Sequence, residues 1–194
     1  MSDTTPRVPG GTPAQDPEGL HADLIARALA AGATDAKVVG PSTVVTAEWV
    51  RMKCLWGCTP GNCLNCPPNS PTPAQTRVLL DEYDTILLLR FDVDSSRMEW
   101  LESSHWVHDT ALALERELFL QGFYKVFAIA GGRTCGLEED CGKPDTCTSR
   151  EGLRPGPVAC GIDVFTTSAN AGWPLGVVQA PGAPYHRYAL VLVQ

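Results

Sequence analysis

The sequence predicts an α/β fold, with a small mixed or parallel sheet, a βαβ crossover and two cysteine-rich metal-binding loops. Apolar runs at 85–91 and 124–130 are typical of strands that are buried on both faces. Between them, the long segment 97–121 has apolar residues at helical spacing. Strand, helix and strand in this order form a βαβ unit, for which a right-handed parallel crossover is expected.

The first part of the chain is predicted to form one helix and two short strands. Apolar residues recur at helical spacing from Pro17 onward, and Gly32 is expected to end this helix. Residues 36–39 and 44–49 are predicted as strands joined by a Gly-Pro turn. The first cysteines then follow among Gly, Pro and Asn residues, which favours a loop.

Three further elements surround the predicted crossover. A helix is expected at 74–83, directly after Pro73, because the first amides of a helix need no intrahelical partner. A short helix is predicted from Cys160 to residue 169, and residues 185–193 are predicted as the last strand. Because a helix N-terminus favours a thiolate, this placement predicts an acidic Cys160 thiol.

Composition and charge exclude several classes of protein. The chain has 194 residues, enough for one globular domain, and we expect a disordered leader at 1–16 and a single α/β metal-binding domain at 17–194. Its 15 basic and 22 acidic residues give a net charge of −7, which argues against a nucleic-acid partner. The absence of a long apolar run argues against a membrane protein, and no secretory signal is visible. A cytoplasmic location is therefore expected.

The main clue to function is the presence of eight cysteines in two groups of four. Reduced, clustered cysteines more often bind metals than form structural disulfides. Four thiols complete one tetrahedral zinc site or ligate one iron–sulfur cluster. The first group is spaced C-x3-C-x4-C-x2-C and the second C-x5-C-x5-C-x12-C. The two groups are Cys54, Cys58, Cys63 and Cys66, and Cys135, Cys141, Cys147 and Cys160.

The spacings favour iron–sulfur clusters over zinc. Zinc sites usually contain two closely spaced cysteine pairs, and the second group contains none. Its wide spacings suit a cluster enclosed by a loop, and Cys66 followed by Pro67 matches the Cys-Pro that ends bacterial ferredoxin motifs. We therefore expect two iron–sulfur clusters of the [4Fe–4S] type. Zinc is the first alternative, and disulfides or free thiols are the second.

The chain also resembles a family of predicted metal-binding proteins, domain of unknown function 2284. The resemblance rests on four stretches: CPPNSPTPAQTRVLLDEYDTILLL from Cys66, GGRTC, the Arg154-Pro155 pair, and ACGIDVFTTSANAGWPL from Ala159. It extends from residue 50 to the C-terminus and implies that both groups are metal-site cysteines, with iron–sulfur binding the usual suspicion. Members often have a further cysteine between the positions of Cys135 and Cys141, where this chain reads Gly-Leu-Glu-Glu-Asp. This difference implies a leaner second site.

A weaker signal lies within the long predicted helix. Glu102, His105 and His108 are three residues apart and share one helix face. A helical metal site needs such a face on a second helix, and none is visible in the sequence. The alternatives are a solvent-exposed stripe, or a histidine that donates protons beside a cluster.

Other residues near the cysteines are candidates for supporting roles. Arg133, Arg150 and Arg154 are positioned along the chain to balance thiolate charge. Trp56 and Trp173 are predicted to pack near the cysteines and to keep water from a site, which would tune its potential.

These observations lead to three hypotheses about function. The first is an iron–sulfur protein with two four-cysteine sites that transfers electrons to or from a redox partner protein. The second is an iron–sulfur redox enzyme that acts on a small-molecule substrate, for which no catalytic residue can be assigned. The third is an interaction module that zinc stabilises.

Overall fold

The computed structural model describes residues 17–58, 64–131 and 152–194, so the predicted leader lies outside the described residues. Within these ranges, no helix combines the length and the apolar character of a membrane span. The elements in chain order are α1 (Pro17–Ala31), β1 (Asp35–Val39), a 3₁₀ helix (Pro41–Thr43), α2 (Glu48–Gly57), α3 (Pro73–Leu80), β2 (Ile86–Val93), α4 (Trp100–Leu120), β3 (Phe127–Ile129), α5 (Val164–Asn170) and β4 (Tyr185–Leu192).

The four described strands form one antiparallel sheet in the order β1-β2-β4-β3. Ile86 of β2 and Phe127 of β3 both pair with Leu192 of β4, from opposite sides. β2 and β3 therefore run in the same direction, but β4 lies between them. The α/β class is confirmed, whereas the predicted parallel crossover is wrong. The final strand of the chain is apolar on both faces, and this favours the central position in which both faces are buried.

Helices and loops cover both faces of the sheet and create two cores. Leu87 and Leu89 of β2 pack with α1 and α4 in one core. Ile86 and Leu88 belong to the other core, together with α3 and the chain around Ile162. Successive side chains of a strand point to opposite faces, so the prediction that β2 is buried on both sides is confirmed.

The predicted strand at 44–49 is wrong, because the chain makes only one bridge there before it becomes helical. Thr46 pairs with Ile162 in an isolated antiparallel bridge, and α2 begins at Glu48. The amide of Ala47 donates to the carbonyl oxygen of Gly161 at 2.8 Å. Helix α2, which carries the first cysteine, therefore starts beside the residue that follows the last cysteine.

The last helix also begins later than predicted. α5 starts at Val164, because the carboxylate of Asp163 caps it by accepting the amide of Thr166 at 3.1 Å. Gly161 has a φ of +74°, which is incompatible with a right-handed helix through this position. Cys160 consequently lies in a turn that precedes the helix, and the predicted helical start at this residue is wrong.

Candidate metal centre

A cleft of about 330 Å³ brings together three cysteines of the first group, Cys54, Cys58 and Cys66. Its other described lining residues are mostly apolar or lack side chains: Lys53, Gly57, Asn65, Trp100, Gly131, Gly156, Val158 and Ala159. Thiolates are the ligands that zinc and iron–sulfur clusters prefer. The cleft is therefore the candidate metal centre.

Helix α2 supplies the first two thiols. Cys54 lies in its last turn and Cys58 is its C-cap residue, so the two are one helical turn apart. The prediction of a loop is therefore wrong for Cys54. Burial and the neighbouring Cys58 raise the pKa of the Cys54 thiol. A metal ligand must be a thiolate, so metal binding at Cys54 would release a proton.

Cys66 reaches the cleft on the segment that precedes α3. The residue before it, Asn65, donates its side-chain amide to the carbonyl oxygen of Arg154 at 3.2 Å. Four residues after Cys66, the Ser70 hydroxyl donates to the carbonyl oxygen of Ala159 at 2.8 Å. The Cys66 segment is thus fixed, on both sides of the cysteine, to the chain between Cys147 and Cys160.

Arg51 of α2 connects the same segments from the helix side. Its Nη1 donates to the carbonyl oxygens of Pro71 at 2.7 Å and of Ala159 at 3.3 Å. Its positive charge lowers the pKa of Cys54, which opposes the larger effect of burial. The sequence analysis missed this residue. The available signal was its position one helical turn before Cys54, which would have been visible had α2 been predicted.

We expect Arg51→Met to destabilise the fold by about 2 kcal/mol, because hydrogen bonds from a charged group to two separate segments, Ser70-Pro71 and Ala159, are lost. It should also raise the pKa of Cys54, so that alkylation of this thiol, located by mass spectrometry, shifts to higher pH. Arg51→Lys keeps the charge and serves as the control, with a smaller shift of the alkylation profile. Identical profiles for Arg51→Met and the wild type would contradict the electrostatic role.

The second cysteine segment, residues 132–151, is flanked by described chain that lines the same cleft, at Gly131 before it and at Gly156 after it. Gly131, the last residue before it, packs backbone to backbone against Gly156, and a Cβ on Gly131 would overlap the Cα and N atoms of Gly156. The amide of Ala130 donates to the carbonyl oxygen of Pro155 at 3.0 Å. Only glycine, which lacks a Cβ, permits this approach at Gly131.

Helix α4 holds the chain that follows residue 151 through a partly buried ion pair. The Glu115 carboxylate accepts the Nε of Arg154 at 2.8 Å and also its Nη2. The same carboxylate accepts the amide of Ala128 on β3 at 2.6 Å. Among the described residues, the charge of Arg154 is therefore matched by Glu115, whereas the sequence had suggested thiolates as its counter-charge.

The predicted helix face of Glu102, His105 and His108 does not form a metal site in the described structure. Glu102 is exposed, whereas His108 is buried. Nε2 of His108 lies 2.7 Å from the carbonyl oxygen of Gly152. Because a carbonyl oxygen only accepts, this nitrogen carries the proton and donates to Gly152. Nε2 of His105 is buried and has no hydrogen-bond partner among the described residues.

The tryptophans near the cysteines differ in their surroundings. Trp56 is 83% exposed and therefore does not shield the cleft from water. Trp173 is buried against Tyr188 in the core that contains Cys160. The tryptophan that lines the cleft is Trp100 at the start of α4, which the sequence analysis did not identify.

Cys160, which the sequence groups with the second loop, is not among the residues that line the cleft. Its side chain is 1% exposed and belongs to the core formed by α3, β2 and β4. Burial raises the pKa of its thiol to about 12, although the Thr76 hydroxyl and the Arg51 charge act in the opposite direction. The prediction of an acidic thiol at a helix N-terminus is therefore wrong.

In the ranges 17–58, 64–131 and 152–194, no three His, Cys, Asp or Glu side chains lie close enough together to hold an ion. The three thiols of the first group line one cleft without converging on one point. The remaining candidates lie outside the described residues: Cys63, Cys135, Cys141, Cys147, Arg133 and Arg150.

A comparison with protein families identifies the relatives of this chain. The family model described as predicted metal-binding protein, domain of unknown function 2284, matches residues 37–193, a span that includes all eight cysteines. The chain belongs to this family. The resemblance found in the sequence is confirmed, and the DUF2284 family is described as predicted to bind metal. No curated protein and no solved structure matches the chain.

Proposed function

We propose that this DUF2284 protein binds two iron–sulfur clusters, of the [4Fe–4S] type, and serves electron transfer. Cys54, Cys58, Cys63 and Cys66 are the proposed ligands of the first centre. The proposed ligands of the second centre are drawn from the second group, Cys135, Cys141, Cys147 and Cys160. An iron–sulfur cluster, when bound, exchanges single electrons over a range of potentials that the surrounding protein sets.

The observation that carries the proposal is the shared cleft. Cys54, Cys58 and Cys66 line it together with Gly131 and Gly156, which flank the second cysteine segment on its two sides. The residues that flank the second group's loop cysteines therefore lie beside the first group, although about 70 residues separate Cys66 from Cys135 in sequence. Two centres near each other provide a path for electrons between a donor and an acceptor.

Three features of the residues around the cleft support the proposal of a bound cluster. Three soft sulfur donors face a space far larger than the roughly 30 Å³ that one water molecule occupies. The cleft walls formed by Trp100, Val158 and Ala159 are apolar, and an apolar surrounding limits the access of water to a metal site. The charges of Arg51 and Lys53 lie beside the thiols and partly offset the negative charge of bound thiolates.

The proposal includes a partner and a location. The net charge of −7 favours a redox partner protein whose docking face is basic, because opposite charges steer association. The free thiols of Cys54, Cys58 and Cys160 suit a reducing compartment, which supports a location in the cytoplasm.

The first test is purification of the full chain without oxygen, followed by an absorption spectrum and analysis of iron, sulfide and zinc. We expect a brown protein with broad absorption at about 400 nm and about eight iron atoms per chain. A colourless protein with about two zinc ions would contradict the proposal and would support the interaction module instead.

Cys66→Ala is expected to remove about half of the bound iron, because it eliminates a ligand of the first centre and leaves the second group intact. Val158→Ala is the matched control, since Val158 lines the same cleft but has no metal-binding atom. Iron and sulfide per chain are measured on the monomeric fraction after anaerobic purification. Full iron content in Cys66→Ala would contradict the assignment of this residue.

A further inference from the structure

A second cavity, of about 710 Å³, lies at the start of β4 and shares no described lining residue with the cleft. Its walls are formed by Phe165 of α5, by residues 175–179 and by residues 183–186. The volume falls within the range of about 300–1,000 Å³ that is typical of sites for small molecules. The cavity therefore has room for a ligand that the proposed function does not include.

The walls of the second cavity are mostly apolar and accessible. Phe165, Val177 and Val178 line it and are 45%, 68% and 51% exposed. Leu175 lines it as well and packs against the core that contains Trp173. A single exposed apolar side chain is ordinary in a folded protein, whereas several around one cavity are typical of a binding site.

The loop that carries the two valines is attached to the rest of the fold at both ends. Before the loop, the amide of Trp173 donates to the carbonyl oxygen of Ser168 at 2.8 Å. After it, the carbonyl oxygen of Ala183 accepts the hydroxyl of Ser95 at 2.8 Å. These contacts hold the apolar wall in place, so less ordering is needed when a ligand binds.

One polar side chain of the wall, His186, has an orientation that a carboxylate fixes. Its Nδ1 lies 2.7 Å from Oδ1 of Asp92, and this nitrogen donates because a carboxylate only accepts. Nε of Arg90 lies 3.0 Å from the same carboxylate oxygen, so the charge of Asp92 is matched without a charged imidazole. In the neutral imidazole, Nε2 is then an acceptor, and none of the described residues donates to it.

The other polar side chains of the wall are engaged with the protein. The hydroxyl of Tyr185 lies 2.9 Å from Oγ of Ser103. The side-chain amide of Gln179 donates to the carbonyl oxygen of Val177 at 3.0 Å, which leaves only its Oε1, a second acceptor. The cavity therefore offers acceptors, and a ligand must supply the hydrogen-bond donor.

Three side chains connect the second cavity to the cleft. Tyr185 lines the cavity, and Trp100 lines the cleft. The guanidinium carbon of Arg187 lies 5.6 Å from the ring centre of Tyr185 and 5.1 Å from that of Trp100. Nη2 of Arg187 also donates to the carbonyl oxygen of Trp100 at 3.1 Å. A molecule in the cavity is therefore separated from the candidate metal centre by this short series of contacts.

We propose that the second cavity binds a small molecule with an apolar ring or chain and a hydroxyl or N–H group that donates to Nε2 of His186. The apolar part contacts Phe165, Val177 and Val178. A carboxylate is disfavoured, because it has no proton to donate to an acceptor nitrogen. This site goes beyond the proposed function, since its walls contain no proposed metal ligand.

The first test is a calorimetric titration of the full chain with 1-naphthol at about pH 8, where an imidazole is neutral. We expect saturable binding of one 1-naphthol per chain. 1-Naphthoate has the same ring system and no donor, and we expect it to bind at least about tenfold more weakly. The absence of saturable 1-naphthol binding, or tighter binding of 1-naphthoate, would overturn the proposal.

The apolar wall is tested with Val177→Asp, which places a charge where the ring of the probe is expected. Its matched control is Val78→Asp on α3, because Val78 is 65% exposed and does not line the cavity. Both valines are exposed, so neither change buries a charge in a core. We expect Val177→Asp to weaken 1-naphthol binding by about tenfold or more and Val78→Asp to leave it unchanged. Equal affinities of the two variants would show that the probe binds elsewhere.

The hydrogen bond is tested with His186→Phe, which keeps an aromatic ring and removes both nitrogens. His21→Phe on α1 is the control, because His21 is exposed and lies outside the cavity. We expect His186→Phe to weaken 1-naphthol binding by about tenfold and to leave the weak binding of 1-naphthoate unchanged, whereas His21→Phe has no effect. Wild-type affinity of His186→Phe for 1-naphthol would overturn the role of Nε2.

Iron analysis of the same preparations separates this proposal from the proposed function. A chain without iron contradicts the proposed function, and binding of 1-naphthol to that chain still supports the site in the second cavity. A chain with full iron that fails to bind 1-naphthol contradicts the site alone.

Discussion

Gly131→Ala is expected to lower the free energy of unfolding by at least about 3 kcal/mol, the upper end of the usual cost of overpacking. A Cβ on Gly131 would overlap backbone atoms of Gly156, and backbone cannot move aside as a flexible side chain can. The two glycines close the base of the second cysteine segment at the cleft. The variant should therefore also lose metal, measured as iron per chain in the folded fraction.

Two further glycine variants provide a graded comparison of the loss of stability. A Cβ on Gly156 would lie 3.0 Å from the Cα of Gly131, which is tight but can be relieved by a small shift. A Cβ on Gly40 would meet no atom within 4 Å. Denaturant unfolding should rank Gly131→Ala as the most destabilised, followed by Gly156→Ala and then Gly40→Ala. A Gly131→Ala protein as stable as Gly40→Ala would show that the close backbone approach does not exist.

Glu115→Gln is expected to destabilise the protein by about 2–3 kcal/mol, because it leaves the partly buried guanidinium of Arg154 without a counter-charge. The two side chains are only 13% and 19% exposed, so water cannot replace the lost partner effectively. Their pairing also holds the chain after the second cysteine segment against α4. We therefore expect the loss to appear in the unfolding midpoint and as a lower iron content.

The same helix offers a matched control. Glu117 pairs with Arg27 of α1, and these side chains are 44% and 30% exposed. An exposed ion pair contributes at most about 1 kcal/mol, so Glu117→Gln should change the unfolding midpoint only slightly. Equal destabilisation by Glu115→Gln and Glu117→Gln would show that burial of the Arg154 pair has no energetic consequence.

Elements with a strong local pattern were predicted well. The continuous apolar runs identified β2 and β3, and the strand predicted at 185–193 contains all of β4. The helical spacing of apolar residues identified α4, with shifted ends. The segment 44–49 misled the prediction, because Val44, Val45 and Thr46 favour a strand locally. Only one bridge partner, Ile162, is available to this segment, so the chain enters a helix instead.

By itself, the sequence determined the α/β class, the cysteine groups and the membership of a family of predicted metal-binding proteins, because side-chain periodicity and motif spacing are local properties of the chain. Tertiary structure alone decided the central place of β4 and the partners of Arg51 and Arg154. It also decided that the nearest cysteine to α5, Cys160, lies in a core while three others line a cleft. Burial and pairing depend on residues far apart along the chain, and no local pattern records them.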